Sequence, residues 1–152
     1  MRHLFQTLNS IRPADAPFVG GKAFNCAQLK QAGMPVPDGL VLTTEAMGTS
    51  QFGEVEQWMA RLPSGTRFAV RSSGVDEDSA GHSFAGIHET RLNVLPPDVP
   101  AAIRSCWASV NSPQAVAYRR AQNLATENPG TAVLIQIMID PIVSGVSFTT
   151  NP

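Results

Sequence analysis

Lys22 and Arg71 are the residues of this 152-residue chain best suited to holding an anion. Lys22 follows Gly20-Gly21 at the start of a helical pattern. With no side chains at the two glycines, backbone N–H groups can approach a ligand. The helix start adds about half a positive charge, so a lysine there could hold a phosphate. The spacing is not that of a G-x-x-x-x-G-K-[ST] loop, and a double glycine before a helix can also be no more than a turn. Arg71 leaves the strand Phe68-Ala69-Val70 for the polar stretch Ser72-Ser73-Gly74. Its planar fork could grip two phosphate oxygens at once, or it could pair with Asp76, Glu77 or Asp78.

Other chemistry-bearing residues read more plainly. Asp76-Glu77-Asp78 lacks the spacing of an EF-hand and reads as a solvated loop. His82 and His88 have no partner at zinc spacing and no Ser or Cys marked as a nucleophile, so no metal site is expected. Cys26 and Cys106 fall inside helical patterns and read as buried, reduced thiols.

The elements that must position Lys22 and Arg71 are short and punctuated by twelve Gly and twelve Pro. A helix is predicted from the double glycine to Ala32, stopped by Gly33 in a left-handed conformation. Gly39 to Thr43 reads as a buried strand, Thr44 as the N-cap of a short helix, and Glu54 to Leu62 as another helix. Thr66 to Arg71 is predicted as a strand with Phe68 and Val70 on one face. Ser72 to Gly86 has no periodicity and reads as a binding or gating loop. Ile87 to Val94 resumes as a strand. Helices follow over Asp98 to Val110 and Pro113 to Leu124, the second opened by Ser112 as N-cap with Pro113 in the first turn. Arg119 and Arg120 on that helix are expected to pair with surface carboxylates. Two strands are predicted last, Ala132 to Ile139 and Val143 to Thr149. An uncovered strand at the end leads us to expect a piece of a longer chain.

Composition narrows the partners. Hydrophobic residues make up 43% of the chain, as suits a packed core. Eleven Lys and Arg against twelve Asp and Glu leave a net charge of −1, which gives no field for nucleic acid or an anionic membrane. Apolar runs fall well short of the roughly 20 residues of a membrane span, and the start lacks a secretory apolar segment. A cytoplasmic protein is expected.

In order along the chain come Val19-Gly20-Gly21-Lys22, Val36-Pro37-Asp38-Gly39, Thr43-Thr44-Glu45-Ala46, Val70-Arg71-Ser72-Ser73, Ser83-Phe84-Ala85-Gly86 and Glu89-Thr90 with Leu92-Asn93-Val94. Cys106-Trp107-Ala108-Ser109, Ala117-Tyr118-Arg119, Ile135-Gln136-Ile137-Met138 and Ser144-Gly145-Val146-Ser147-Phe148-Thr149 continue the series. This ordered set resembles the N-terminal ATP-binding region of the phosphoenolpyruvate synthase and pyruvate phosphate dikinase family, which includes rifampin phosphotransferases. The resemblance implies an α+β fold, the first lobe of an ATP-grasp domain, with a mixed sheet and flanking helices. Residues 1–139 would form that lobe, and 140–152 the hinge and first strand of a second.

By the same resemblance Lys22 and Arg71 would contact the phosphates of ATP. Arg71 would also stabilise charge on the transferring phosphoryl group. Gly86 and Thr90 would border the triphosphate, and Gln136 would sit at the interlobe hinge beside the adenine. Two departures touch the loop: Ile87 stands where many relatives carry glutamine, and Gly74-Val75-Asp76 replaces a more usual Ala-Thr-Ala. The family's magnesium ligands, its phosphohistidine domain and its acceptor domain would lie outside this chain. Alone, the chain should not turn over. The acceptor of the parent enzyme could be pyruvate or an antibiotic hydroxyl. The alternatives are a stand-alone, non-catalytic nucleotide-binding or regulatory module, or a folded remnant that binds no nucleotide.

Overall fold

Strand β5 (Thr131–Ile137), near the end of the chain, organises the whole sheet. The structure is a computed structural model, and it describes residues 3–75, 89–124 and 130–145. The strands ahead of β5 are β1 (Phe5–Thr7), β2 (Gly39–Leu42), β3 (Phe68–Gly74) and β4 (Thr90–Val94), and the spatial order is β1-β2-β5-β3-β4. Among the described residues four α-helices accompany them: α1 (Ala16–Gln31), α2 (Gly53–Met59), α3 (Val99–Ser109) and α4 (Pro113–Ala121). The expected α+β class holds.

The expected mixed sheet does not. Among the described residues all four pairings are antiparallel. The reason lies in β5. Strands β2 and β3 run in the same direction through α2, but β5 slots between them and pairs antiparallel with both, so no parallel ladder forms.

Alternation along the strands divides the interior in two. Leu40 and Leu42 of β2, Phe68 and Val70 of β3, and Val133 and Ile135 of β5 join one core with Val55 of α2 and Val99, Ile103, Cys106 and Trp107 of α3. The helical spacing of those α3 residues explains why that face of the helix is dry. Val41 of β2 and Ala132 and Leu134 of β5 face the other way, against Val19, Ala23 and Ala27 of α1, with Leu8 and Ile11.

Several boundaries moved for identifiable reasons. The helix expected to begin at the double glycine has an extra turn before it, from Ala16. Gly20 (φ 72°, ψ 163°) separates that turn from the rest, so a helical segment does open at Gly21. Gly33 takes φ 86° as expected. The Gly33 and Met34 amides return to the Lys30 and Leu29 carbonyls, each at 3.0 Å, a Schellman stop. Thr43 rather than Thr44 precedes the short 3-10 turn Thr44–Ala46. At α4, Ser112 caps as predicted, its hydroxyl accepting from the Ala115 amide at 3.2 Å.

Two expectations are overturned. Ser72, Ser73 and Gly74 are not loop: they extend β3, opposite Val133, Ala132 and Thr131, and are buried. Backbone pairing with β5 supplies what their polar side chains do not. Arg119 is 2% exposed rather than a surface partner, and its Nη2 donates to the Val110 carbonyl. Residues 143–145 carry no strand, and the rest of the predicted strand lies outside the described residues. One strand, β1, had not been foreseen at all.

Candidate phosphate-binding face

The Gly20-Gly21 turn meets β3 at Ser72-Ser73. A Cβ built on Gly20 would lie 2.2 Å from the Ser73 carbonyl oxygen and 2.7 Å from its hydroxyl, so only glycine lets the two backbones come this close. Just past the turn the Ala23 amide donates to Ser73 Oγ at 3.0 Å, and Lys22 Nζ donates to the Ser72 carbonyl at 2.6 Å. Lys22 is thus held across β3, fifty positions away in sequence from the residue that accepts its proton.

Arg71 immediately precedes Ser72 and is half-buried. Strand alternation turns Arg71 and Ser73 to the α1 side, while Phe68 and Val70 enter the opposite core. Directly across from Arg71 stand Thr90 on β4 and Leu134 on β5, whose side chains share its face.

The two cations converge on one group. Cys26 lies one turn beyond Lys22 on α1. Burial raises its thiol above the ordinary range, and the charges of Arg71 and then Lys22 oppose that rise.

The remaining predicted positions separate into three kinds. Thr90 opens β4, exposed, beside Arg71. Gln136 is 8% exposed and lies on the α1 side opposite Ala69, with Nε2 donating to the Pro37 carbonyl at 3.1 Å. Gly86, like Asp76, Glu77, Asp78, His82 and His88, lies outside the described residues.

The opposite side of β3 is chemically different. Cys106 is fully buried there. Burial first, and the Glu89 carboxylate second, push its thiol up to about 12. For Glu89 itself burial acts upward. Hydrogen bonds from Arg91 (2.6 Å) and Ser105 of α3 (2.8 Å) outweigh it and hold the carboxyl below its usual range. Clefts of about 530 Å³, between β1 and α2, and about 550 Å³, between the end of α2 and Pro96–Pro100, contain neither Lys22 nor Arg71.

Residues 49–152 match the family described as "Pyruvate phosphate dikinase, AMP/ATP-binding domain". The chain belongs to this family. Arg71, Gly86, Thr90 and Gln136 lie inside the matched segment, and Lys22 precedes it. Relatives extend the likeness toward the N-terminus. The phosphoenolpyruvate synthase of Aeropyrum pernix is 32% identical over 99% of this chain, which corresponds to 25% of its own length. The uncharacterized phosphotransferase YvkC of Bacillus subtilis is 33% identical over 88% of this chain and 19% of its own length. A rifampicin phosphotransferase of Streptomyces sviceus is 40% identical over 66% of this chain and 12% of its own length. The chain spans a quarter or less of each of these relatives.

Sequence reading singled out both cations but missed the serines that seat one of them. Ser73 caps a helix segment from a strand fifty positions away, and no local pattern marks such a contact. The only available signal was a close-approach glycine pair in one place and small polar residues ending a strand in another.

Proposed function

We propose that this chain is the N-terminal lobe of an ATP-grasp domain in a phosphotransferase of the phosphoenolpyruvate synthase and pyruvate phosphate dikinase type. Residues 1–139 would form the lobe, and 140–152 the hinge and beginning of the second lobe. The observation that carries this reading is the docking of a glycine turn that opens a helix segment against β3, where Lys22 Nζ donates to the carbonyl of Ser72, the residue next to Arg71.

ATP fits the chemistry of that face. A triphosphate tail offers several oxygens to an ammonium and a planar guanidinium, and the start of the second α1 segment adds favourable dipole. Lys22 would exchange its Ser72 carbonyl for a phosphate oxygen. Arg71, held in a strand paired on both sides, would grip two oxygens and counter charge spread over the transferring phosphoryl group. Thr90 and Gly86 would border the triphosphate. The Gln136 amide donates to Pro37, so Gln136 would flank the adenine end mainly through the strand it belongs to.

The magnesium ligands, the histidine that accepts the phosphoryl group and the final acceptor, pyruvate or an antibiotic hydroxyl, would be supplied by other domains of the parent enzyme. Half a clamp binds weakly, so the expected affinity is about millimolar, near 4 kcal/mol. The test is titration of the chain with ATP by NMR. Saturable shifts at Lys22 and Arg71 are expected, lost in Arg71→Ala. Shifts that persist unchanged in that variant would overturn the assignment.

A further inference from the structure

We infer that Ser73 is a positioning residue for the nucleotide site: it caps the second segment of α1 from β3 and thereby fixes where Lys22 presents its ammonium. The inference rests on the functional reading above. Gly20, with non-helical φ and ψ, stands where the N-cap of the Gly21–Gln31 segment belongs. An N-cap ordinarily offers a side-chain oxygen to the amide of the second or third helical residue. Glycine has none to offer. Ser73 provides it instead, accepting from Ala23, the third residue of the segment, at 3.0 Å.

A cap supplied by another element does more than satisfy a donor. It ties the start of the helix to the strand that carries Arg71, two residues before Ser73. The clearance at Gly20 shows how tightly the two are joined, because no Cβ fits between them. Lys22 lies between the capped amide and the close-approach glycine, and its ammonium reaches the carbonyl of the neighbouring Ser72 at 2.6 Å. The hydroxyl, the carbonyl and the guanidinium thus come from three successive residues of one strand. The helix docked on them has little freedom to move its lysine away from Arg71. Ser73 is fully buried, out of reach of a ligand on the surface, so its effect runs through Lys22.

The experiment uses the fact that the chain holds only two lysines, Lys22 and Lys30. The side-chain ¹⁵Nζ signals of the full 152-residue chain are followed during ATP titration in the native protein, in Ser73→Ala and in Ile103→Ala. The last opens the core on the other side of the sheet and controls for simple loss of stability. Removing a cap hydroxyl predicts about a fivefold rise in the Kd for ATP. It also predicts a displaced Lys22 signal before any nucleotide is added, with Lys30 unmoved. Ile103→Ala should lower the melting temperature and leave the Lys22 signal and Kd as they were.

An unchanged Lys22 signal and Kd in Ser73→Ala overturns the positioning role while leaving the functional reading intact. If the native protein shows no ATP-induced shift at Lys22, the functional reading fails. The nucleotide-free Lys22 signal then decides alone whether Ser73 sets that side chain. Should Ser73→Ala not fold, Ser73→Cys, with a weak acceptor of similar size, carries the same measurement.

Discussion

The two faces of the central sheet are built from the same five strands and serve opposite ends. On the α2 and α3 side, Phe68, Val70, Val133, Ile135, Ile103 and Trp107 form a dry core whose one thiol is pushed up to about 12. On the α1 side, the neighbouring residues of the same strand, Arg71 and Ser73, meet a helix that brings a lysine and a thiol under the influence of both cations. One β-strand therefore delivers apolar volume to one side and charge to the other. The period-two alternation of its side chains is sufficient cause. Anything that rotates or shifts β3 must disturb both faces together, whereas substitutions confined to one face should separate them.

The harshest way to break the comparison is Gly20→Ala. The added Cβ would lie 2.2 Å from a backbone oxygen, at a φ of 72° that alanine resists. A loss of at least about 3 kcal/mol is expected from the combined clash and strain, measured by urea denaturation. A variant as stable as the native protein would show that helix and strand are not locked at this point.

Next in size comes a pH effect confined to the dry face. The folded protein keeps the Cys106 proton up to about 12, while the unfolded chain releases it near the ordinary value of 9.0. Between those values the native state binds more protons, so stability falls as pH rises. The expected loss is roughly 1 kcal/mol per pH unit across that window. Urea midpoints at pH 8 and pH 10 should fall further apart in the native protein than in Cys106→Ala.

A smaller effect sharpens the picture of the cationic face. Arg71 lowers the pKa of the Cys26 thiol, so Arg71→Ala should raise it and slow alkylation by iodoacetamide near neutral pH a few-fold. ATP bound at Lys22 and Arg71 should slow the reaction further in the native protein. An unchanged rate would mean that the guanidinium does not act on that thiol.

The smallest effect belongs to neither face. Arg67 and Asp140 join the start of β3 to the chain just past β5 through contacts of 2.9 and 2.8 Å, but both side chains are largely exposed. Arg67→Ala should cost at most about 0.5 kcal/mol by thermal denaturation.

Legibility in the sequence followed how local each cause was. The Gly33 stop and the Ser112 cap were readable because a helix end is decided within a few residues of its own. The dry face of α3 was readable because 3.6-residue periodicity records which side is apolar. Ser72 to Gly74 were misread as loop because their composition is that of a turn, whereas their conformation is imposed by β5, sixty positions downstream. Arg119 misled for a related reason: one of two adjacent arginines on a polar helix looks solvated until the Val110 carbonyl is placed beside it. The three-residue β1 has no pattern of its own and exists only along the edge of β2.

The sequence by itself determined the charges, the glycine that permits a close approach, and the points where helices must start and stop. Each of these depends on backbone sterics or on the chemistry of a single side chain. Only the tertiary structure decided that Lys22 reaches the carbonyl next to Arg71 and that a strand serine caps a distant helix. Those contacts arise when β5 inserts between β2 and β3 and fixes the register of β3 beneath α1. Such a register is selected by the burial of two cores at once, a global balance that no local stretch of residues contains.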